Sequence, residues 1–282
     1  MRRSAASCLA LAVAAAGCAG PRASGAAPAE AECDRREPPA VTRLQVRRGE
    51  VAGIPYMEVV YGAAEVDDRL PMVVGIHGLG DRPRLPDLRW SDLGRPYRIV
   101  MPQGPIAHGE GYAWFAVRVG DDEPERLARA LTEQAARLAR AIDALRRRLP
   151  TVGTPVVAGG SQGGMMALAL AVHHPERVGG AVVLMAWLPP GLVPDALDDG
   201  LAYPPIRSLH GTEDEIVPLP PTRRLMARLE GLGLDVELHE VAGIGHAMND
   251  EMNAAVRQWL VEMLGAQVEA RRERVSGSTR GS

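Results

Sequence analysis

The hydrophobic positions of this chain form short apolar runs, which alternate with longer stretches where apolar residues recur every three or four positions. A short continuous apolar run bounded by turn residues is typical of a strand buried on both faces. By this criterion the sequence predicts buried strands at residues 71–76, 97–101 and 155–158, and further strands are predicted at 181–186, 206–210 and 235–241.

Helical periodicity is clearest between Pro124 and Leu149, where the apolar residues form one stripe and the proline stands at a tolerated early position. Strands that alternate with helices favour a mostly parallel sheet with helices on both faces, so the predicted fold class is α/β. Two alternating segments ahead of this region, at 42–47 and 56–61, predict an antiparallel N-terminal hairpin joined through residues 49–55. Further helices are predicted at 165–172, 220–232 and 249–268.

Residues 1–18 have the composition of an export signal. Met1-Arg2-Arg3 supplies positive charge, and residues 5–16 form an apolar segment too short to span a bilayer as a stable helix. The small residues that end in Cys18 resemble a bacterial lipoprotein signal, in which cleavage before the cysteine leaves it to be lipidated. Ordinary signal-peptidase cleavage, for example after Ala19, is the alternative. We therefore expect an exported protein, either anchored to a membrane through Cys18 or secreted.

Three segments follow this signal. Residues 19–40 are rich in Ala, Pro and Gly without periodicity, which predicts a flexible tether. Residues 41–268 form one predicted folded domain, because no internal repeat and no second composition regime divides them. Residues 269–282 are charged and rich in Ser and Gly toward the end, and we expect a disordered tail there.

The composition narrows the function mainly by exclusion. Of the 282 residues, 46% are hydrophobic and 24% are charged, and the formal net charge of -3 offers no basic face for nucleic acid. With Cys8 in the signal and Cys18 modified, Cys33 stands alone, so neither a disulfide framework nor a metal site is predicted. No cofactor is predicted, and the sequence does not specify an oligomeric state.

The segment Gly159-Gly160-Ser161-Gln162-Gly163 joins a predicted strand to a predicted helix. A Gly-x-Ser-x-Gly in this context is typical of a nucleophile elbow, a sharp turn that exposes a strained serine. The residue after the serine then stands at a helix N-terminus, where a backbone N–H can meet a developing oxyanion. The context predicts a serine hydrolase, whereas the motif alone also fits a glycine-rich turn with an incidental serine.

A serine nucleophile needs a base, and the base needs an orienting acid. His246 follows the predicted strand 235–241, beyond whose carboxyl end a catalytic loop is expected, so we expect it to be the base. His108 lies in a glycine-rich loop and could contact substrate, whereas a strand position is expected for His239 and helix-terminal positions for His173 and His174.

Several carboxylates could serve as the acid. Glu213, Asp214 and Glu215 follow the strand 206–210, and spacing alone does not choose between them. A weaker set, in the preceding proline-rich loop, consists of Asp195, Asp198 and Asp199.

The oxyanion hole needs a second backbone donor. His77-Gly78-Leu79-Gly80 follows the strand 71–76, the place where such hydrolases put that donor. The predicted donors are therefore the backbone amides of Leu79 and Gln162.

Several segments together carry a family resemblance. The chain resembles the α/β-hydrolase superfamily and, within it, the phospholipase/carboxylesterase group that includes acyl-protein thioesterases. The resemblance implies an α/β-hydrolase fold with Ser161 as nucleophile, Asp214 as acid and His246 as base. Members usually have a bulky residue where this chain has Gly160. The segments are His77-Gly78-Leu79-Gly80-Asp81, 101–105, 113–115, Gly160-Ser161-Gln162-Gly163-Gly164, 187–189, His210-Gly211-Thr212 with Asp214, Val217-Pro218 and Gly245-His246.

The predicted function is hydrolysis of carboxylic esters, with thioesters or lysophospholipids as further substrates. Four apolar residues are candidates for the substrate pocket, namely Trp114, Phe115, Trp187 and Leu188, although core packing would explain each equally well. A serine peptidase of the same fold and an anchored binding protein without catalysis are the alternatives.

Overall fold

The structure, a computed structural model, describes residues 44–85, 92–116 and 124–278, with side chains as far as Arg272. The predicted signal peptide, the tether and the lipidation site Cys18 lie outside these residues and stay predictions. Within the described part of the chain, no helix is both long and apolar enough to cross a membrane.

The ten strands of the described residues form one large sheet and one small hairpin. The eight-stranded sheet has the order β1-β2-β4-β3-β7-β8-β9-β10, and β5 and β6 pair separately. β1, β2 and β4 pair antiparallel, and all pairs from β4 through β3 to β10 are parallel. The strands are β1 (Gln45–Val51), β2 (Ile54–Tyr61), β3 (Leu70–Ile76), β4 (Tyr97–Pro102), β5 (Ile106–His108), β6 (Gly111–Ala113), β7 (Thr151–Gly160), β8 (Gly180–Leu184), β9 (Ile206–Gly211) and β10 (Val236–Val241).

Four helices cover both faces of the sheet. α1 (Pro124–Arg148), α2 (Gln162–His173) and α3 (Leu219–Gly231) contribute to one apolar cluster, and α4 (Asp250–Ser278) contributes to a second. Strand side chains alternate between the two clusters, because Met72 and Val74 join the first and Val73 joins the second. This alternation explains why β3 and β8 are apolar throughout, and the predicted α/β-hydrolase fold is confirmed.

The N-terminal hairpin is present, but its turn differs from the prediction. β1 continues through Gly49, and the chain reverses at Ala52 and Gly53, which have φ values of 48° and 69°. Two consecutive positive φ angles are typical of the tight turn that matches the twist of a hairpin. Gly49 and Pro55 suggested a longer connection, but both are accommodated within the paired strands.

Two further elements depart from the sequence expectation. α4 continues to Ser278, so residues 269–278, which we expected in a disordered tail, are helical. Ala, Glu and Arg in this stretch are good helix formers, which explains the extension. The hairpin of β5 and β6 was not predicted, because strands of three residues are too short to show a period.

Candidate active site

Ser161 occupies a sharp turn between β7 and α2. Its φ and ψ are 54° and -121°, a conformation that L-residues rarely adopt and that a structure keeps mainly at functional sites. The turn is held because the Ser161 N–H donates to the Leu184 carbonyl at 2.9 Å and the Ser161 carbonyl accepts from Met165 N–H at 3.0 Å. The close approach requires small neighbours, since a Cβ at Gly163 would clash with the carbonyl oxygen of Ile76.

His246 and Asp214 form a direct pair. The Nδ1 atom of His246 lies 2.7 Å from Oδ2 of Asp214, whose side chain is fully buried, whereas the imidazole is 22% exposed. The other carboxylate oxygen accepts hydrogen bonds from the backbone N–H groups of Ile216 and Val217, at 2.9 and 2.8 Å. These contacts fix the carboxylate, and an ionised carboxylate requires the His246 Nδ1 to carry a proton.

The topology brings these side chains to the same edge of the sheet as Ser161. β7, β8, β9 and β10 are adjacent and parallel, so their carboxyl ends lie at one edge. Ser161 follows β7, Asp214 follows β9 and His246 follows β10. This is the edge at which open α/β sheets bind their ligands.

The remaining candidate acids have other surroundings. Glu213 and Glu215 are exposed, and among the contacts of the described residues only Asp214 bonds His246. Of the weaker set, Asp195 pairs with Arg228 at 2.7 Å and Asp198 accepts from Gly200 N–H.

The other candidate histidines are also accounted for. His239 lies on β10 beside Glu251, and His173 at the end of α2 bonds the Leu192 carbonyl. Burial lowers the pKa values of His173 and His174, which disfavours the charged form of both rings at the end of α2. His108 approaches the loop after β3, since a Cβ on Gly80 would lie 3.5 Å from its ring. In the described part of the chain no group of three or more His, Cys, Asp or Glu is arranged to hold a metal.

The loop after β3 lies beside Ser161. A Cβ on Gly78 would lie 3.7 Å from Cβ of Ser161. Gly80 N–H donates to the Tyr112 carbonyl at 2.8 Å, and Asp81 N–H donates to the Gly78 carbonyl at 3.3 Å. The backbone on the C-terminal side of Leu79 is therefore held in place by hydrogen bonds.

His77 fixes the start of the same loop. Its Nδ1 lies 2.7 Å from the Gly78 carbonyl, and its Nε2 accepts from Gly104 N–H at 2.9 Å. Both contacts are satisfied at once only by the neutral tautomer protonated on Nδ1. Burial lowers the pKa of His77, which favours the same neutral form.

Trp114 and Phe115 belong to the core. They are 1% and 3% exposed and pack in the cluster of α1 and α2, so neither lines a described cavity. Trp114 Nε1 donates to the His77 carbonyl at 3.0 Å, and its ring stacks on that imidazole. Trp114 therefore supports the loop after β3 from behind, which differs from the predicted pocket-lining role.

A model of the phospholipase/carboxylesterase family matches residues 58–264. The chain belongs to the phospholipase/carboxylesterase family. The matched region contains Ser161, Asp214, His246 and the loop after β3, so the candidate site lies within the family's own part of the chain.

Individual relatives place the chain within this family at a distance. It is 26% identical over 218 residues to acyl-protein thioesterase 1 of Gibberella zeae, covering 67% of this chain and 90% of that protein. It is 30% identical over 114 residues to a probable carboxylesterase of Oryza sativa subsp. japonica, covering 40% of this chain and 43% of the relative. The chain thus spans less than half the length of that rice relative. Esterase PE8 matches in structure with a TM-score of 0.62 and 24% identity, covering 72% of this chain and 99% of the other, which shows the fold.

Trp187 and Leu188 are placed differently from the other two pocket candidates. Both line a cavity of about 340 Å³ between the proline-rich loop and α3, together with Val193 and Leu225. They follow β8, whose Leu184 carbonyl holds the Ser161 turn. Trp187 and Leu188 thus bring this cavity within three and four residues of the end of β8 along the chain.

One residue near the site was missed by the sequence analysis. His210 is fully buried, its Nε2 donates to the Val217 carbonyl at 2.7 Å, and the same atom lies 3.5 Å from Oδ2 of Asp214. Burial lowers its pKa. The sequence did contain a signal, because His210 stands in the same motif as Asp214. A histidine at the end of a strand, however, gives no indication that its ring contacts the Val217 carbonyl and Asp214.

Proposed function

We propose that this protein is a serine hydrolase that cleaves carboxylic esters, including thioesters, through an acyl intermediate on Ser161. The observation that carries the proposal is the 2.7 Å contact between His246 and Asp214 at the sheet edge where the strained Ser161 turn lies. Family membership supports the reaction class. The proposals that the substrate is an ester and that Ser161 carries the acyl group are supported by the arrangement of Ser161, Asp214 and His246.

The first half-reaction uses the imidazole as a base and then as an acid. The Ser161 Oγ forms a bond to the ester carbonyl carbon as its proton passes to Nε2 of His246. Asp214, which accepts from Nδ1, stabilises the resulting imidazolium. Collapse of the tetrahedral intermediate breaks the bond to the alcohol oxygen, which receives the proton from Nε2. The acyl group stays on Ser161.

The second half-reaction repeats these transfers with water. Water gives a proton to His246 and bonds the acyl carbon, and the Ser161 oxygen leaves with that proton, which releases the carboxylic acid. In both halves the negative carbonyl oxygen is proposed to accept hydrogen bonds from the backbone N–H groups of Leu79 and Gln162. One such donor typically contributes about 3 kcal/mol of transition-state stabilisation.

The cavity beside Trp187 and Leu188 is proposed to receive the acyl chain. Its lining is mostly apolar, with Val193 and Leu225 among the contacts, as an aliphatic chain requires. Arg224 and Arg228 also line it, but both residues are exposed, and Arg228 is paired with Asp195, so neither places a buried unpaired charge against the chain.

Hydrolysis of p-nitrophenyl butyrate tests the proposal. Wild type should release p-nitrophenolate, and Ser161→Ala should reduce kcat/KM by at least about 10³-fold. Ser208→Ala is the matched control, because the Ser208 hydroxyl is buried on β9 without a hydrogen-bond partner among the described residues. No turnover by wild type, or equal turnover by Ser161→Ala, contradicts the proposal.

A further inference from the structure

A second cavity, of about 470 Å³, lies against the Ser161 turn on the α4 side of the sheet. It is a different space from the cavity at Trp187, because the two have no lining residue in common. Five of its lining residues belong to the apolar cluster under α4 or pack against it, namely Ile99, Met101, Ala158, Leu184 and Met248.

Gly160 opens this cavity. A Cβ at this position would meet Leu184 Cβ at 3.6 Å and the Leu184 carbonyl at 3.8 Å, which are ordinary contact distances. Its φ lies outside the left-handed region, so the backbone does not require glycine either. This contrasts with Gly163, where a side chain cannot fit. A larger residue at Gly160 would therefore occupy the cavity rather than break the turn.

The cavity lies beside the turn that carries the proposed nucleophile. Gly78 lines it, and a Cβ on Gly78 would lie 3.7 Å from Cβ of Ser161. Met248, two residues after His246, lines it as well. Because the imidazole must hand its proton to the departing oxygen, the leaving group lies on the His246 side of the reacting carbon. The cavity is thus placed to take the alcohol part of an ester.

The walls select for an uncharged group. The inner wall consists mainly of glycine backbone and apolar side chains, and the two polar side chains that also line it, His77 and Asn253, are each bonded to backbone groups. The charged residues of the outer wall already have partners, since Arg84 pairs with Asp81 at 3.3 Å and Arg82 donates to the Glu110 carbonyl at 3.3 Å.

We propose that the cavity opened by Gly160 binds a bulky, uncharged, apolar alcohol group of the substrate ester. The inference rests on the proposed function, and it adds a second subsite that is separate from the cavity at Trp187. It predicts esters that are large on the alcohol side, whichever acyl chain the other cavity holds.

Gly160→Leu tests the subsite through two acetate esters. The ratio of kcat/KM for 1-naphthyl acetate to that for ethyl acetate should fall at least about tenfold relative to wild type, because the new side chain fills the space of the ring. Both esters share one acyl group, so the ratio reports only on the alcohol part. The difference in intrinsic reactivity between the two esters cancels, because the same pair is measured with the variant and with wild type. Gly231→Leu is the control, since Gly231 ends α3 with no atom within 4 Å of an added Cβ, and its ratio should not change. A second variant, Met248→Trp, narrows the cavity from the opposite wall and should lower the ratio as well.

The acyl side is tested in the same variants by the ratio of kcat/KM for methyl octanoate to that for methyl acetate. Gly160→Leu should leave that ratio within about twofold of wild type. The assignment of this cavity to the alcohol group is overturned if the ratio of 1-naphthyl acetate to ethyl acetate is unchanged in both variants. It is also overturned if the ratio of methyl octanoate to methyl acetate changes instead.

A binding measurement separates this inference from the proposed function. 1-Naphthol should bind the Ser161→Ala protein, and the fluorescence of the naphthol measures this binding. Adding Gly160→Leu should raise the Kd for 1-naphthol at least about fivefold. Equal Kd values, or no binding by Ser161→Ala, overturn the subsite. Weakened binding together with a wild type that cleaves no ester leaves the subsite standing and overturns the proposed function.

Discussion

The backbone N–H of Trp114 donates a hydrogen bond of 3.1 Å to Oε1 of Gln162. The same carboxamide donates through Nε2 to the Phe115 carbonyl at 2.9 Å, and Gln162 is 6% exposed. The side chain at the start of α2 thereby fastens the loop whose Trp114 indole holds the His77 carbonyl. Gln162 thus connects the turn at Ser161 to Trp114, which supports the proposed oxyanion loop.

Gln162→Met is expected to weaken both the fold and the reaction. It keeps the length of the side chain but leaves the Trp114 N–H and the Phe115 carbonyl buried without partners, at a cost of about 1–3 kcal/mol each. The loss should appear in urea unfolding and in a lower kcat for p-nitrophenyl butyrate. Gln258→Met, at an exposed position of α4, should change neither quantity. Wild-type stability in Gln162→Met would contradict the proposed linkage.

Asp214→Asn is expected to reduce kcat by about 10³–10⁴-fold while the protein stays folded. The Ile216 and Val217 N–H groups continue to hold the amide oxygen, so the amide nitrogen faces His246 and favours the wrong imidazole tautomer. Glu213→Gln and Glu215→Gln are matched controls on the same loop, because both side chains are exposed. A larger loss in either control than in Asp214→Asn would move the acid to another residue.

The sequence predicted secondary structure well where a single physical requirement, such as burial on both faces, acts on every residue of a segment. Burial on both faces makes β3 a continuous apolar run and leaves Arg98 as the one charged residue of β4, and the prediction found both strands. α2 was predicted from Met165, but it begins at Gln162, because Gly163 and Gly164 have low helix propensity yet are required by the tight packing of the turn.

The parts of the site that could not be predicted depend on where a side chain points. Three neighbouring carboxylates were equivalent in spacing, and only the fold of the loop after β9 buries Asp214 and exposes Glu213 and Glu215. Trp114 was a plausible pocket residue, since a large apolar side chain in a loop can face either substrate or core. The carboxamide contacts of Gln162 reach residues 47 and 48 positions away, which no local pattern reports.

Stability is expected to fall as the pH drops below about 6.5, the ordinary histidine pKa. Burial lowers the pKa values of His77 and His210 in the folded protein, so the unfolded chain binds protons at a higher pH than the native state. The stabilising contribution is therefore complete above the unfolded pKa and is lost as the pH falls toward the lower folded pKa. Urea unfolding at pH 7.5, 6.5 and 5.5 measures the change. His77→Gln, which removes one of these groups, should give a smaller drop, and an equal or larger drop would count against this explanation.

The N-terminal hairpin is expected to depend on a buried ion pair. Glu58 and Arg98 have side chains 1% and 0% exposed, with Oε1 and Nη1 2.6 Å apart, and Arg98 also donates to the Asp68 carbonyl at 2.6 Å. Arg98→Met leaves a buried carboxylate with only Arg47 as a partner, so unfolding free energy should drop by about 3–5 kcal/mol. The double variant with Glu58→Leu should recover part of that loss. A single variant as stable as wild type would contradict the assigned role.

Covalent labelling tests the central claim most directly, because a fluorophosphonate reacts with a serine only where a base and an oxyanion site activate it. Intact-mass and peptide analysis of the labelled wild type should find one adduct, on Ser161, and labelling should be abolished in Ser161→Ala and strongly slowed in Asp214→Asn. An unlabelled wild type, or an adduct on another residue that persists in Ser161→Ala, would contradict the account.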